Sequence, residues 1–201
     1  MPMMLQGGPF KAPVAGFHRF TVKQYHKMIA DGVLTEDDRV ELLEGYLVDK
    51  MPHDPIHDGT IQKINRRLVR AIPAGWEVRV QSAVTLSQSE PEPDLALVRE
   101  DRNGFMNRHP GISDFGILIE VSNSTLDTDR GDKGAIYARA GLPEYWIVNV
   151  LDLQIEVFER PSGASADPSY TTNRIFKRGS SIPLVLNGIT VALIPVDELL
   201  P

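Results

Sequence analysis

Three observations predict a mixed α+β fold, a central sheet flanked by two helices. Apolar residues recur at helical spacing through Ile61, Ile64, Leu68 and Ile72 in "HDGTIQKINRRLVRAI". They alternate with polar ones in "WEVRVQSAVTL", which sets Trp76, Val78 and Val80 against Glu77, Arg79 and Gln81. "FGILIEV", starting at Phe115, is apolar on both faces, as a central strand must be, yet it holds Glu120. Removing an ion from water costs on the order of several kcal/mol unless a partner compensates, so something must meet Glu120.

The elements follow in chain order. Residues 1–17, rich in proline and glycine, read as a flexible lead-in, and residues 18–201 as one domain. "TVKQYHKMIADG" reads as a short helix capped by Thr21 and stopped by Gly32. "RVELLEGYLVDKMP" gives two short strands turning at Glu44 and Gly45. A helix from Asp58 to Ile72 ends at Pro73 and Gly75, and the strands "WEVRV" and "PDLALV" follow. After the Glu120 strand an Asp-rich loop leads to a helix from about Asp132 to Ala140, closed by Gly141 and Pro143. "EYWIVNV" and "LQIEVFE" pair across Leu151 and Asp152, and the remaining segments "RIFKRG", "IPLVLNG" and "ITVALIP" extend the β-structure.

Composition narrows the chemistry. With 201 residues, 42% of them hydrophobic, the chain can bury a substantial core. No apolar run reaches the ~18 residues of a membrane span, and "MPMMLQGGPF" lacks the pattern of a secretion signal, which predicts a cytoplasmic protein without membrane contact. The absence of cysteine removes thiolate metal sites and leaves oxygen and imidazole donors, favouring hard cations. A net charge of -6 argues against nonspecific coating of nucleic acid but permits a local groove. Lys63, Arg66, Arg67 and Arg70 are the candidate phosphate contacts, although a solvated helix face is the commoner reading of such a run.

Asp94 heads one apolar strand and Glu120 lies within another, so adjacent strands can aim two carboxylates at one point. Such a pair suits Mg²⁺ or Mn²⁺, since Mg²⁺ keeps several waters and takes one or two carboxylates besides a phosphate. Lys133, near the start of the following helix, can bring an ammonium to the attacking water and to charge developing on the phosphate. Tyr137, one turn on, shares its face.

These residues carry a resemblance. "PD" at Pro93 and Asp94, "IEVS" from Ile119 to Ser122, "DRGDKGAIYARAGLPEYWIVN" from Asp129 to Asn149 and "ELLEGYLVDKMP" followed by His57 are similar to the Uma-two family of restriction-endonuclease-like proteins, in the PD-(D/E)XK nuclease superfamily. The resemblance runs from about Phe20 to Glu159. It implies an αβββαβ core, here with an extra N-terminal helix and hairpin and extra C-terminal strands. It further implies a divalent metal (Mg²⁺ or Mn²⁺), catalytic positions at Asp94, Glu120 and Lys133, Glu44 as an acid entering from the N-terminal side, and His57 near the site. Ser122 stands where the superfamily places a lysine two residues after the acid, and Asn149 where an aspartate is common.

The expected function is metal-dependent endonucleolytic hydrolysis of nucleic acid, DNA by preference; the rival is a nuclease-fold domain that binds nucleic acid or protein without cutting. Two-strand cleavage further suggests a homodimer using Ile189 to Pro195. "DTDRGD" fails as a calcium loop, because Gly131 and Ala138 stand where ligands are required. His53 and His57 have zinc-ligand spacing, but Pro55 between them argues against a continuous helix. Phosphate-loop and nucleophile-elbow motifs are absent.

Overall fold

The computed structural model describes residues 16–201, so the expected lead-in lies outside them apart from its last two positions. Helix α1 (Val22–Ala30) is opened by Thr21, whose hydroxyl accepts the Gln24 N–H while the Gln24 side chain accepts the Thr21 N–H. This reciprocal capping box satisfies two N–H groups that a helix start leaves unpaired. Strands β1 (Val40–Leu43) and β2 (Tyr46–Asp49) form a hairpin whose turn residues, Glu44 and Gly45, both have positive φ (50° and 82°). Such a primed turn matches the twist of the strands that it joins.

Helix α2 (Pro55–Val69) begins three residues before the expected Asp58. Pro55 occupies its first turn, where a missing N–H costs nothing, and Asp54 caps it by accepting the His57 N–H at 2.8 Å. Strands β3 (Trp76–Val80), β4 (Leu95–Arg99), β5 (Phe115–Ser122), β6 (Glu144–Asn149), β7 (Gln154–Pro161) and β8 (Tyr170–Lys177) then form one sheet in chain order. All neighbours are antiparallel except β5 and β6. A parallel pair needs a crossover, and helical backbone supplies it.

That crossover departs from expectation. The Asp-rich stretch is helical from Leu126: α3 (Leu126–Thr128) runs through a π-helical turn at Asp129–Lys133 into α4 (Gly134–Ala140). Asp129 does not solvate itself as a loop acid. Its carboxylate accepts the hydroxyls of Ser122 and Thr125, both at 2.6 Å, and is buried. The two side-chain bonds draw this turn against the end of β5.

The sheet is covered on both faces. Ile61, Ile64 and Leu68 of α2 meet Leu95, Leu97, Ile117, Ile119 and Val121, joined by Ile182, Leu184 and Leu186 of β9 (Ser181–Leu186), which pairs with β10 (Ile189–Pro195) in a separate hairpin. On the opposite face Ile136 and Tyr137 of α4 and Leu43 of β1 pack with Ala96, Val98, Leu118 and Ile147. Each such aliphatic side chain contributes roughly 1.5–3 kcal/mol through burial. Strand alternation therefore turns Glu120 and Ser122 toward α4 while their neighbours fill the α2 layer. Among the described residues no helix is long and apolar enough to cross a membrane.

Candidate active site

Asp94 and Glu120 face one another across β4 and β5, one step beyond the Leu95–Ile119 pair of the antiparallel register. Each carboxylate is tied to the other's strand. The Val121 N–H donates to Asp94 Oδ2 at 2.8 Å, and the Asp94 N–H donates to Glu120 Oε2 at 3.3 Å. The second Glu120 oxygen, Oε1, accepts Lys133 Nζ at 3.0 Å and the Tyr137 hydroxyl at 2.8 Å. The partner that Glu120 requires is thus Lys133, with Tyr137 one turn along the same helical face. Glu41 Oε1 and Asp129 Oδ1 lie 4.0 and 3.9 Å from the same ammonium.

Asp94, Glu120, Lys133, Glu41 and Asp129 line a cleft of about 310 Å³ between the β1–β2 hairpin, the start of α2 and the π-helical turn. Burial raises the Glu120 carboxyl, Lys133 pulls it back, and the charges of Asp94 and Asp129 push it up again, to about 8. Burial alone would lower Lys133, but Glu120, Glu41 and Asp129 hold it above its ordinary value. Lys133 is a fixed cation among acids.

His57, in the first turn of α2, places Nε2 3.1 Å from Asp94 Oδ2 and Nδ1 3.4 Å from Asp58 Oδ1. Burial opposes its charged form, but the two carboxylates outweigh it and raise its pKa. His53 precedes the helix, as the proline implies, yet the bend at Asp54 brings the two imidazole centroids to 4.3 Å.

The chain therefore gathers Asp94, Glu120, Lys133 and His57 around one cleft, and leaves Glu44 out. Glu44 sits in the left-handed turn, and its carboxylate points to Arg139 Nε at 3.6 Å, beside a second depression. Its strand neighbour Glu41 lines the cleft instead and is buried. Sequence reasoning missed Glu41 and Asp129. Glu41 offered the same signal as Glu120, an acid inside an apolar run, and Asp129 lies four residues before Lys133 on one helical face. The basic run is also divided. Lys63 donates to the carbonyls of Asp197 and Leu200, and Arg67 pairs with Glu198, so only Arg66 and Arg70 of the four are exposed. All four lie toward the end of α2 remote from the cleft.

From α2 to β6 the order is helix, three strands, helix, strand, the αβββαβ arrangement of the restriction-endonuclease-like class. The chain belongs to the Uma2 family, whose model, described as "Putative restriction endonuclease", matches residues 22–195. It is similar to the crystal structure of a "putative nuclease belonging to DUF820" from Anabaena variabilis. The two superpose with a TM-score of 0.62 over 90% of this chain and 97% of the other, at 13% identity, a likeness of fold. No curated protein matches the chain.

Proposed function

We propose that this chain is a Mg²⁺- or Mn²⁺-dependent endonuclease hydrolysing DNA phosphodiester bonds, with Asp94, Glu120 and Glu41 as the carboxylates that hold the metal. The observation carrying this reading is the convergence of Asp94 and of Glu120, bonded to Lys133 at 3.0 Å, on one cleft. The donor set fits the ion. All three candidates are hard oxygen donors, and one or two carboxylates with several waters suffice for Mg²⁺. The ion, when bound, would supply positive charge to the scissile phosphate.

The chain's own groups do the rest. Lys133, kept charged by three acids, donates hydrogen bonds to the attacking water or to a phosphate oxygen on which charge develops. Tyr137 and the Asp94 N–H hold the Glu120 carboxylate in place from two sides. His57 holds Asp94 from the helix side. Cutting both strands of a duplex calls in addition for a symmetric pair of sites, and a homodimer through β10 is supported by Ile189 and Leu193, each 66% exposed.

The test is calorimetric titration with Mg²⁺ and Mn²⁺ beside cleavage of supercoiled, linear and branched DNA and of RNA. Metal-dependent nicking or linearisation of DNA is expected. Metal uptake without cleavage of any substrate would favour the rival, an accessory factor that binds nucleic acid or a partner protein. Absence of metal uptake would remove the site assignment itself.

A further inference from the structure

Beside the carboxylate cleft lies a second group of donors with different chemistry. His53, His57 and Asp58 each present a ligand atom, and the three atoms lie within 4.8 Å of one another. His53 Nδ1 is 3.3 Å and His57 Nδ1 3.4 Å from Asp58 Oδ1. The local bonds decide which atoms carry protons. His57 Nε2 faces Asp94 Oδ2 at 3.1 Å, and a carboxylate accepts, so the neutral ring holds its proton on Nε2 and turns the Nδ1 lone pair toward Asp58. Gln81 Nε2 approaches His53 Nδ1 at 3.0 Å, so the amide occupies that nitrogen in the empty site and an ion bound there takes its place. Two imidazole nitrogens and a carboxylate oxygen therefore converge on one point, close enough for a single small cation to reach all three.

We propose that His53, His57 and Asp58 bind a Zn²⁺-class transition-metal ion, separate from the hard-cation site formed by the cleft carboxylates. Two imidazole nitrogens and one carboxylate oxygen are a common donor set for zinc, and three protein ligands leave a fourth position for water or a ligand oxygen. That position adjoins the cleft, which His53 and His57 both line. The outer contact has the expected form: a ligating imidazole gives its other N–H to a carboxylate, and Asp94 is that carboxylate for His57. The start of a helix opposes a cation through its partial positive charge. Here that charge is met by Asp54, which caps α2, and the site adds the charges of Asp58 and Asp94. The competing occupant is a second proton on His57, at Nδ1 facing Asp58, with the Nε2 proton kept on Asp94.

Tag-free, chelator-stripped protein is titrated with Co²⁺ and Zn²⁺, following the visible d–d bands of Co²⁺ and the heat of Zn²⁺ binding. One equivalent of Co²⁺ giving tetrahedral bands that Zn²⁺ displaces is expected. His53→Ala, in the exposed segment before the helix, should lose the bands and weaken Zn²⁺ at least about tenfold, since even outer partners cost about 10–100-fold. Asp58→Asn checks the third ligand with the same readout, and circular dichroism confirms that both variants fold. Glu120→Gln should leave Zn²⁺ affinity unchanged while Mg²⁺ binding falls. Bands absent from the parent, or retained in His53→Ala, or lost in Glu120→Gln, would each overturn the proposal; the last would place the ion among the carboxylates. Because the readout is spectroscopic, failure here is distinguishable from absence of nuclease activity.

Discussion

Lys133 Nζ rests 3.0 Å from Glu120 Oε1 although 13 residues and a π-helical turn separate them in sequence. The usual strand lysine would stand at Ser122, two residues after the acid and on the same face. Ser122 instead donates its hydroxyl to Asp129, and the turn that Asp129 anchors delivers the ammonium from the helix. Lys133→Met is therefore expected to lose most metal-dependent cleavage while the fold persists. Removing one partner of a buried pair costs about 3–5 kcal/mol when the other stays charged. Glu120 can take up a proton, so a smaller loss is expected. Adding Ser122→Lys should restore part of the activity from the strand side. Melting curves and plasmid-cleavage rates check both statements, and full activity in Lys133→Met would remove Lys133 from the chemistry.

Stability of the metal-free protein should fall as pH rises between about 4.5 and about 8. Glu120 binds its proton up to about 8 in the folded chain, against 4.5 for an ordinary glutamate. Within that window the folded state holds a proton that the unfolded state has released, so the slope is negative and approaches about 1.4 kcal/mol per pH unit. Glu144, pushed to about 7 by burial, acts with the same sign, as does His57 above its ordinary value of 6.5. The diagnostic quantity is thus the difference between the parent and Glu120→Gln in urea unfolding with chelator present. That difference should shrink toward low pH and level off above pH ~8; parallel curves would place the Glu120 proton elsewhere.

Gly116 offers a test of the opposite face. A Cβ there would lie 2.6 Å from both the Trp76 ring of the edge strand β3 and Leu186 Cδ2 of β9. Gly116→Ala should cost about 1–3 kcal/mol, the usual range for overpacking. Denaturant melts measure it. An unchanged midpoint would mean that the hairpin shifts freely.

The layers were legible in the sequence because each depends on local periodicity: Ile61, Ile64 and Leu68 at helical spacing, and Ile117, Ile119 and Val121 on one side of a strand. The candidate pair of acids was legible because Asp94 and Glu120 break apolar runs. What escaped depends on contacts far apart in the chain. The helical start at Leu126 rests on side-chain bonds from Ser122 and Thr125 to Asp129, which composition reads as a polar loop. The basic face of α2 appeared continuous because the docking of the C-terminal segment on Lys63 and Arg67 spans more than 130 residues. Pro55 does exclude a continuous helix through both histidines, but that it starts the helix and still leaves their rings in contact depends on the path of the preceding residues.

Glu41 and Glu44 give the sharpest test of which acid serves the cleft. They lie three residues apart, but the hairpin sends them to different places. Glu41 is a strand residue whose Oε2 accepts the Glu92 N–H at 3.0 Å, leaving Oε1 directed toward Lys133 at 4.0 Å. Glu44, with φ at +50°, has passed the end of the strand and meets Arg139 outside the cleft. Glu41→Gln removes a charge that helps to hold Lys133 protonated and a donor for a hard cation, so Mn²⁺ binding should weaken by about tenfold or more, as even outer partners of a metal do. Glu44→Gln removes only a half-exposed ion pair, which contributes about 0–1 kcal/mol, and should leave Mn²⁺ affinity unchanged. Parallel calorimetric titrations decide between them. A large loss in Glu44→Gln with none in Glu41→Gln would mean that the hairpin turns over when metal binds, bringing the turn acid into the cleft in place of the strand acid.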